Sequence, residues 1–165
     1  MILDLKKLFL DKSEKISGQY EFSLSDTKID GVFPFITPID ISYNVENRAG
    51  IIKLKADLKF DFSYPCSRCM EDVLKTIECS FSHVLVNYLN DDNLDDEYVL
   101  LEDYKINLDK LLKEDILLQM PTKVLCSPDC KGLCQKCGKN LNEGTCKCTS
   151  DSIDPRLEVL KNLLS

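Results

Sequence analysis

The sequence predicts an α+β fold: an antiparallel β-rich body, one packing helix near residues 108–119, and a C-terminal cysteine-rich module that binds zinc. Three observations carry this reading. IKLKADLKFDFSY puts Ile52, Leu54, Ala56, Leu58, Phe60, Phe62 and Tyr64 on one face and Lys53, Lys55, Asp57, Lys59 and Asp61 on the other. That period of two is a long strand with one buried and one wet face. NLDKLLKEDILLQMP reads as a helix that Asn107 caps and Pro121 stops. CSPDCKGLCQKCGKNLNEGTCKC then places six cysteines within 23 residues, 126–148.

The remaining elements fill in around these. LDLKKLFL, near the start, is too short a pattern to separate an opening helix from an irregular arm. After Gly18 the chain turns β-like, with alternation in QYEFSLS and in PIDISYNV, where Ile39, Ile41, Tyr43 and Val45 share a face. NRAG supplies a turn into the long strand. VLKTIECSFSHVLVNYL continues as a strand whose alternation slips near His83, where a bulge or bend is expected. DDNLDDEYVLLED, residues 91–103, reads as a solvated acidic connector. DPRLEVLKNLL closes the chain as a helix, with Asp154 as N-cap, Pro155 in the first turn and an apolar stripe of Leu157, Leu160 and Leu164. The organisation expected is a body over residues 1–121 and a cysteine-rich module with a terminal helix over 122–165.

Charge and composition exclude several function classes. The net charge of −7 is unlike that of a general polyanion binder. It is unevenly spread: residues 119–148 carry five lysines and two acidic residues, about +3, which leaves −10 on the remainder. The first thirty residues lack a long apolar core of the kind a signal peptide needs, and no run approaches 18 apolar residues. A cytoplasmic protein is expected. The six glycines are scattered, with no phosphate-binding loop, and His83 is the sole histidine, read as a satisfied, partly buried side chain. An enzyme is not expected.

In a reducing compartment clustered thiols point to metal before disulfides. Cys134-Gln-Lys-Cys137-Gly138 forms a tight turn that aims two sulfurs at one point. Cys126 with Cys130, or Cys146 with Cys148, can supply the second pair of a tetrahedral site, and Cys134 and Cys137 belong to both arrangements. The segment has only Leu133 and Leu141 as large apolar residues, so a metal must substitute for a core. One structural zinc is the expectation. Cys66-Ser-Arg-Cys69 caps a hairpin and is half of a site completed by C-terminal cysteines, a redox dithiol, or a turn alone. Cys79 reads as a small buried hydrophobe. Lys131, Lys136 and Lys139 are the candidate RNA contacts, while the acidic body, with Asp91, Asp92, Asp95, Asp96 and Glu97, suits a basic protein.

CSRC at 66–69, EDILLQMP at 114–121, the 126–148 cysteine block and DPRLEVLKNL at 154–163 together resemble the bacterial YceD-like proteins over nearly the whole chain. The resemblance implies a role in synthesis, processing or stability of 23S ribosomal RNA and offers no catalytic residues. The resulting expectation is a non-catalytic factor in large ribosomal subunit biogenesis that binds pre-ribosomal RNA or a basic ribosomal protein. The alternative is a thiol-based zinc handler or redox sensor using Cys66 and Cys69.

Overall fold

The computed structural model describes residues 1–10, 15–87 and 98–148. A short strand β1 (Ile2–Asp4) and one helical turn α1 (Lys6–Leu10) lead into β2 (Lys15–Phe22). β3 (Ile39–Arg48), β4 (Ile51–Pro65) and β5 (Asp72–Val86) follow as successive antiparallel strands. β6 (Tyr98–Leu100) and β7 (Lys105–Asn107) precede helix α2 (Leu108–Gln119). The main sheet has the order β2-β3-β4-β5-β6, and β1 pairs with β7 in a separate two-stranded sheet.

The alternating pattern sets the register. On β4, Ile52, Leu54, Ala56, Leu58, Phe60 and Phe62 are all buried. Val45 and Tyr43 of β3 lie opposite Leu54 and Ala56 on the same face. This face is covered by α2, which buries Leu108, Leu112 and Ile116 at four-residue spacing, and by Leu5 and Leu8 around α1. The Asn107 side chain accepts from the Lys110 amide and caps α2, as its sequence requires. The β3–β4 turn is Ala49-Gly50, both at positive φ (55° and 90°), the two-residue geometry that matches strand twist. Asn47 is buried there; its Nδ2 donates to the Leu8 carbonyl at 2.8 Å and its Oδ1 accepts from the Gly50 amide at 3.0 Å.

Four expectations need correction. The β region begins at Lys15, so Gly18 lies inside a strand rather than before it. Its place there is steric: a Cβ would sit 2.6 Å from the Tyr43 hydroxyl. The β4–β5 ladder runs without a bulge from Pro65↔Asp72 to Ile52↔Leu85. His83 keeps the inward face, and the slipped pattern arises because Val84 and Val86 are half-buried on the other. Residues 98–100 are not connector but strand, and β6 joins β5 in parallel, so the sheet is mixed. The opening segment is neither an irregular arm nor helix throughout: Ile2–Asp4 form a strand and only Lys6–Leu10 are helical. The terminal helix expected at 154–164 and the acidic residues Asp91, Asp92, Asp95, Asp96 and Glu97 lie outside the described residues.

Candidate metal centres

The β4–β5 hairpin delivers Cys66 and Cys69 at its tip. After Pro65 the chain turns tightly, with the Met70 amide donating to the Cys66 carbonyl at 2.9 Å and the Cys66 amide to the Glu71 carbonyl at 2.8 Å. The segment after α2 then docks on this tip. The Ser67 amide donates to the Val124 carbonyl, the Val124 amide to the Ser67 hydroxyl, and the Leu133 amide to the Arg68 carbonyl. The Arg68 guanidinium holds the same segment through the Cys130 carbonyl at 2.7 Å. Gly132, at φ +75°, lets the two backbones approach; a Cβ there would meet the Arg68 carbonyl oxygen at 3.0 Å.

The outcome is a four-sulfur group of Cys66, Cys69, Cys126 and Cys130, with every ligand atom within 4.8 Å of the others. Cys66 and Cys130 sulfurs are 3.8 Å apart, and those of Cys69 and Cys126 are 3.5 Å apart. A zinc–sulfur tetrahedron with bonds near 2.3 Å has edges of about 3.8 Å, whereas a disulfide needs about 2.05 Å. The spacing fits four ligands around one ion. Cys66, Cys69 and Cys130 are buried and Cys126 is exposed.

Cys134, Cys137, Cys146 and Cys148 form a second four-sulfur group, with Cys146 and Cys134 sulfurs 3.4 Å apart. Its first pair repeats the hairpin turn: the Gly138 amide donates to the Cys134 carbonyl at 2.8 Å. In both turns the residue after the second cysteine has positive φ, Gly138 at 71° and Met70 at 63°. Cys137 and Cys148 are exposed and the other two half-buried, so this group is the more open one.

Hydrogen bonding to sulfur prepares the ligands. Burial pushes the Cys66 thiol up, but the amides of Cys69, Arg68 and Cys126 outweigh it and hold the thiol down at about 6. Amides of Cys137 and Lys136 hold Cys134 at about 6 as well. The Asn142 side-chain amide, 3.3 Å from the Cys130 sulfur, leads in lowering that thiol. The Glu71 amide lowers Cys69, yet burial and contact with the Cys66 and Cys126 sulfurs push it up to about 12; contact with Cys137, then burial, does the same for Cys148. Each group thus holds a ready thiolate beside a thiol whose proton a metal would displace.

Among the sequence candidates, the structure brings all six C-terminal cysteines and the Cys66–Cys69 pair together, as two groups rather than one. The compact run of Cys126, Cys130, Cys134 and Cys137 is not one of the two groups: its first pair falls in one and its second pair in the other. Cys79 stands apart from both, half-buried on the inward face of β5, its thiol raised by burial and then by Asp115. His83 is also apart; its Nε2 lies 2.8 Å from Asp115 Oδ2 on α2. Lys131 follows Cys130 of the first group and Lys136 and Lys139 flank Cys137 of the second; all three are exposed, and Lys139 Nζ donates to the Thr145 carbonyl at 3.1 Å. Sequence reasoning missed Glu71, Asn140 and Asn142, which bond sulfur or one another across the two groups. It also missed a trough of about 810 Å³ on the outer sheet face, where Glu21, Asp40, Asp57 and Glu78 surround Lys59.

No helix among the described residues is long and apolar enough to cross a membrane. Residues 54–164 match the family model described as large ribosomal RNA subunit accumulation protein YceD. The chain is 27% identical over 139 residues to the Bacillus subtilis protein YlbN, covering 84% of this chain and 81% of that one. It is 26% identical over 190 residues to the Arabidopsis thaliana large ribosomal RNA subunit accumulation protein YCED homolog 1, chloroplastic, covering 98% of this chain but 59% of that protein. The maize chloroplastic homolog is 27% identical over 143 residues, and the chain spans 48% of its length. No solved structure matches. With the family model spanning two thirds of the chain, including all eight clustered cysteines, this protein belongs to the YceD family of large ribosomal RNA subunit accumulation proteins.

Proposed function

We propose that the protein is a non-catalytic factor in large ribosomal subunit biogenesis, supporting 23S ribosomal RNA, and that both cysteine groups hold structural zinc. The family match carries the biological role. The donor chemistry supports the metal: four sulfurs at tetrahedral spacing in each group, with only cysteines grouped among the described residues, and amides directed at the thiolates. Zinc would supply cross-linking energy, roughly 10–16 kcal/mol in comparable peptides, to a segment whose own apolar burial is slight. In this reading residues 122–165 are the metal-bearing module and residues 1–121 the body, which lends the first site Cys66 and Cys69.

The partner proposed is a basic ribosomal protein. The acidic trough supports it, since four carboxylates against one lysine oppose a phosphate backbone and attract lysine and arginine. Lys131, Lys136 and Lys139 offer few phosphate contacts, which predicts shallow salt dependence on naked RNA. Burial of Cys66 and Cys69 weighs against a redox sensor, which needs accessible thiolates. Elemental analysis of protein purified without added metal, beside affinity capture from cells and salt titrations of RNA and ribosomal proteins, tests this. Two zinc ions per chain and capture of a basic large-subunit protein are expected. Tight, steeply salt-dependent binding to naked RNA would overturn the partner; metal-free, ordered protein would overturn the zinc.

A further inference from the structure

The loop between Cys137 and Cys146 belongs to the second sulfur group, yet its side chains reach the first. Asn142 Nδ2 donates to the Cys130 sulfur at 3.3 Å, and Asn142 Oδ1 accepts from the Lys131 amide at 2.8 Å. Asn140 Oδ1 accepts from the Asn142 amide at 3.0 Å, while Asn140 Nδ2 donates to Glu71 Oε1 at 2.8 Å. Glu71 Oε2 in turn lies 3.7 Å from the Cys69 sulfur. The Leu141 amide donates to the Gly132 carbonyl at 2.9 Å. One loop therefore touches both halves of the first group, the hairpin through Glu71 and the tail through Cys130.

We propose that the two groups load metal as one coupled unit, with Asn142 the positioning residue that transmits occupancy of the second site to the Cys130 ligand of the first. The inference rests on the metal reading above. Outer residues that hydrogen-bond a ligand commonly change metal affinity 10- to 100-fold. Asn142 is exposed, so burial does not hold it in place. Half-buried Leu141 is the loop's single large apolar residue, so beyond its few hydrogen bonds to residues 131–134 the second metal is what fixes its path. An ordered loop offers Cys130 a preorganised donor; a loose one must lose conformational freedom first. Coupling of binding free energies is reciprocal, so loading the first site tightens the second by the same factor.

The test uses the full chain with Zn²⁺ and, as a spectroscopic probe, Co²⁺. Competition against a chelator of known affinity gives the tighter and weaker constants. The double variant Cys134→Ser/Cys137→Ser disables the second site, and Zn²⁺ affinity at the first should fall 10- to 100-fold. Asn142→Leu should lower first-site affinity to a similar degree while the second site keeps its tetrathiolate Co²⁺ spectrum, which shows that the loop still folds. Combining all three substitutions should cost clearly less than the sum of the two losses, because both act on the loop's contact with Cys130. Two bound ions with first-site affinity unchanged by Asn142→Leu, or with fully additive losses, would overturn the coupling and leave the metal reading intact. A wild-type chain that binds neither ion would instead overturn the metal reading, and the coupling with it.

Discussion

Gly132→Ala probes whether the tail is seated on the hairpin tip, and Gly138→Ala supplies its control. Both glycines have positive φ, 75° and 71°. Each alanine therefore carries the left-handed backbone cost of roughly 1–2 kcal/mol. They differ in surroundings: a Cβ at Gly138 meets nothing within 4 Å, whereas one at Gly132 lies 3.0 Å from the Arg68 carbonyl oxygen and 3.3 Å from Arg68 Cβ. Those neighbours are backbone or stem atoms, so the tail must move away. That movement weakens the 3.1 Å bond from the Leu133 amide to Arg68 and those around Ser67 and Val124. A lost hydrogen bond adds about 0.5–1.5 kcal/mol, for a local total of about 2–3 kcal/mol. Amide exchange at Ser67 and Leu133 should accelerate roughly 30- to 150-fold in Gly132→Ala. In Gly138→Ala the change should be confined to the Cys134–Gly138 turn. Equal effects of the two substitutions at Ser67 would refute the reasoning, since the close approach would then carry no energy.

Asn47→Ala removes the bonds to Leu8 and Gly50 from a buried position and should destabilise the fold by about 1–3 kcal/mol in urea unfolding, with unchanged metal content. Met70→Gly relieves positive φ on a non-glycine residue and should stabilise the hairpin tip by about 1 kcal/mol, seen as slower exchange of the Cys66 and Met70 amides. Glu78 hydrogen-bonds Lys59 at 2.7 Å, and its carboxyl is held below the ordinary glutamate range by that bond and charge. A depressed acid contributes stability that is present above its unfolded pKa and lost as pH falls through the folded value. Lys59→Gln should return the Glu78 titration, followed by carboxyl NMR, to the normal range, and high salt should act in the same direction.

The body was legible because strand pairing here follows one rule. The run from Ile52 to Tyr64 alternates without a break, and β4 keeps that face inward along its length. α2 was legible from its cap and its stop, since Asn107 and Pro121 act on neighbouring backbone. β6 was not, because three residues beside an acidic run give no period, and its pairing is set by β5. The cysteines named their chemistry but not their partition. Cys66 and Cys126 are 60 residues apart, and nothing local to either encodes that meeting. Gly132 sits between the two groups, but its close neighbour Arg68 lies in a distant hairpin turn, so nothing local announces the approach. Asn140 and Asn142 lie in the linker between Cys137 and Cys146, and nothing in that stretch of sequence marks them as acting on sulfur.

The distance between Cys66 and Cys126 also matters during synthesis. A translating ribosome adds about 5–20 residues per second, so the 60 residues between the two take roughly 3–12 s to make. For that interval the hairpin presents two thiols whose native companions do not yet exist. Cys134 and Cys146, by contrast, are 12 residues apart and appear within about a second or two of each other. The open second group is thus assembled from neighbours almost as it is made, while the buried first group must wait with half its ligands in place. Throughout that window Cys66 and Cys69 lack the tail that covers them in the finished fold.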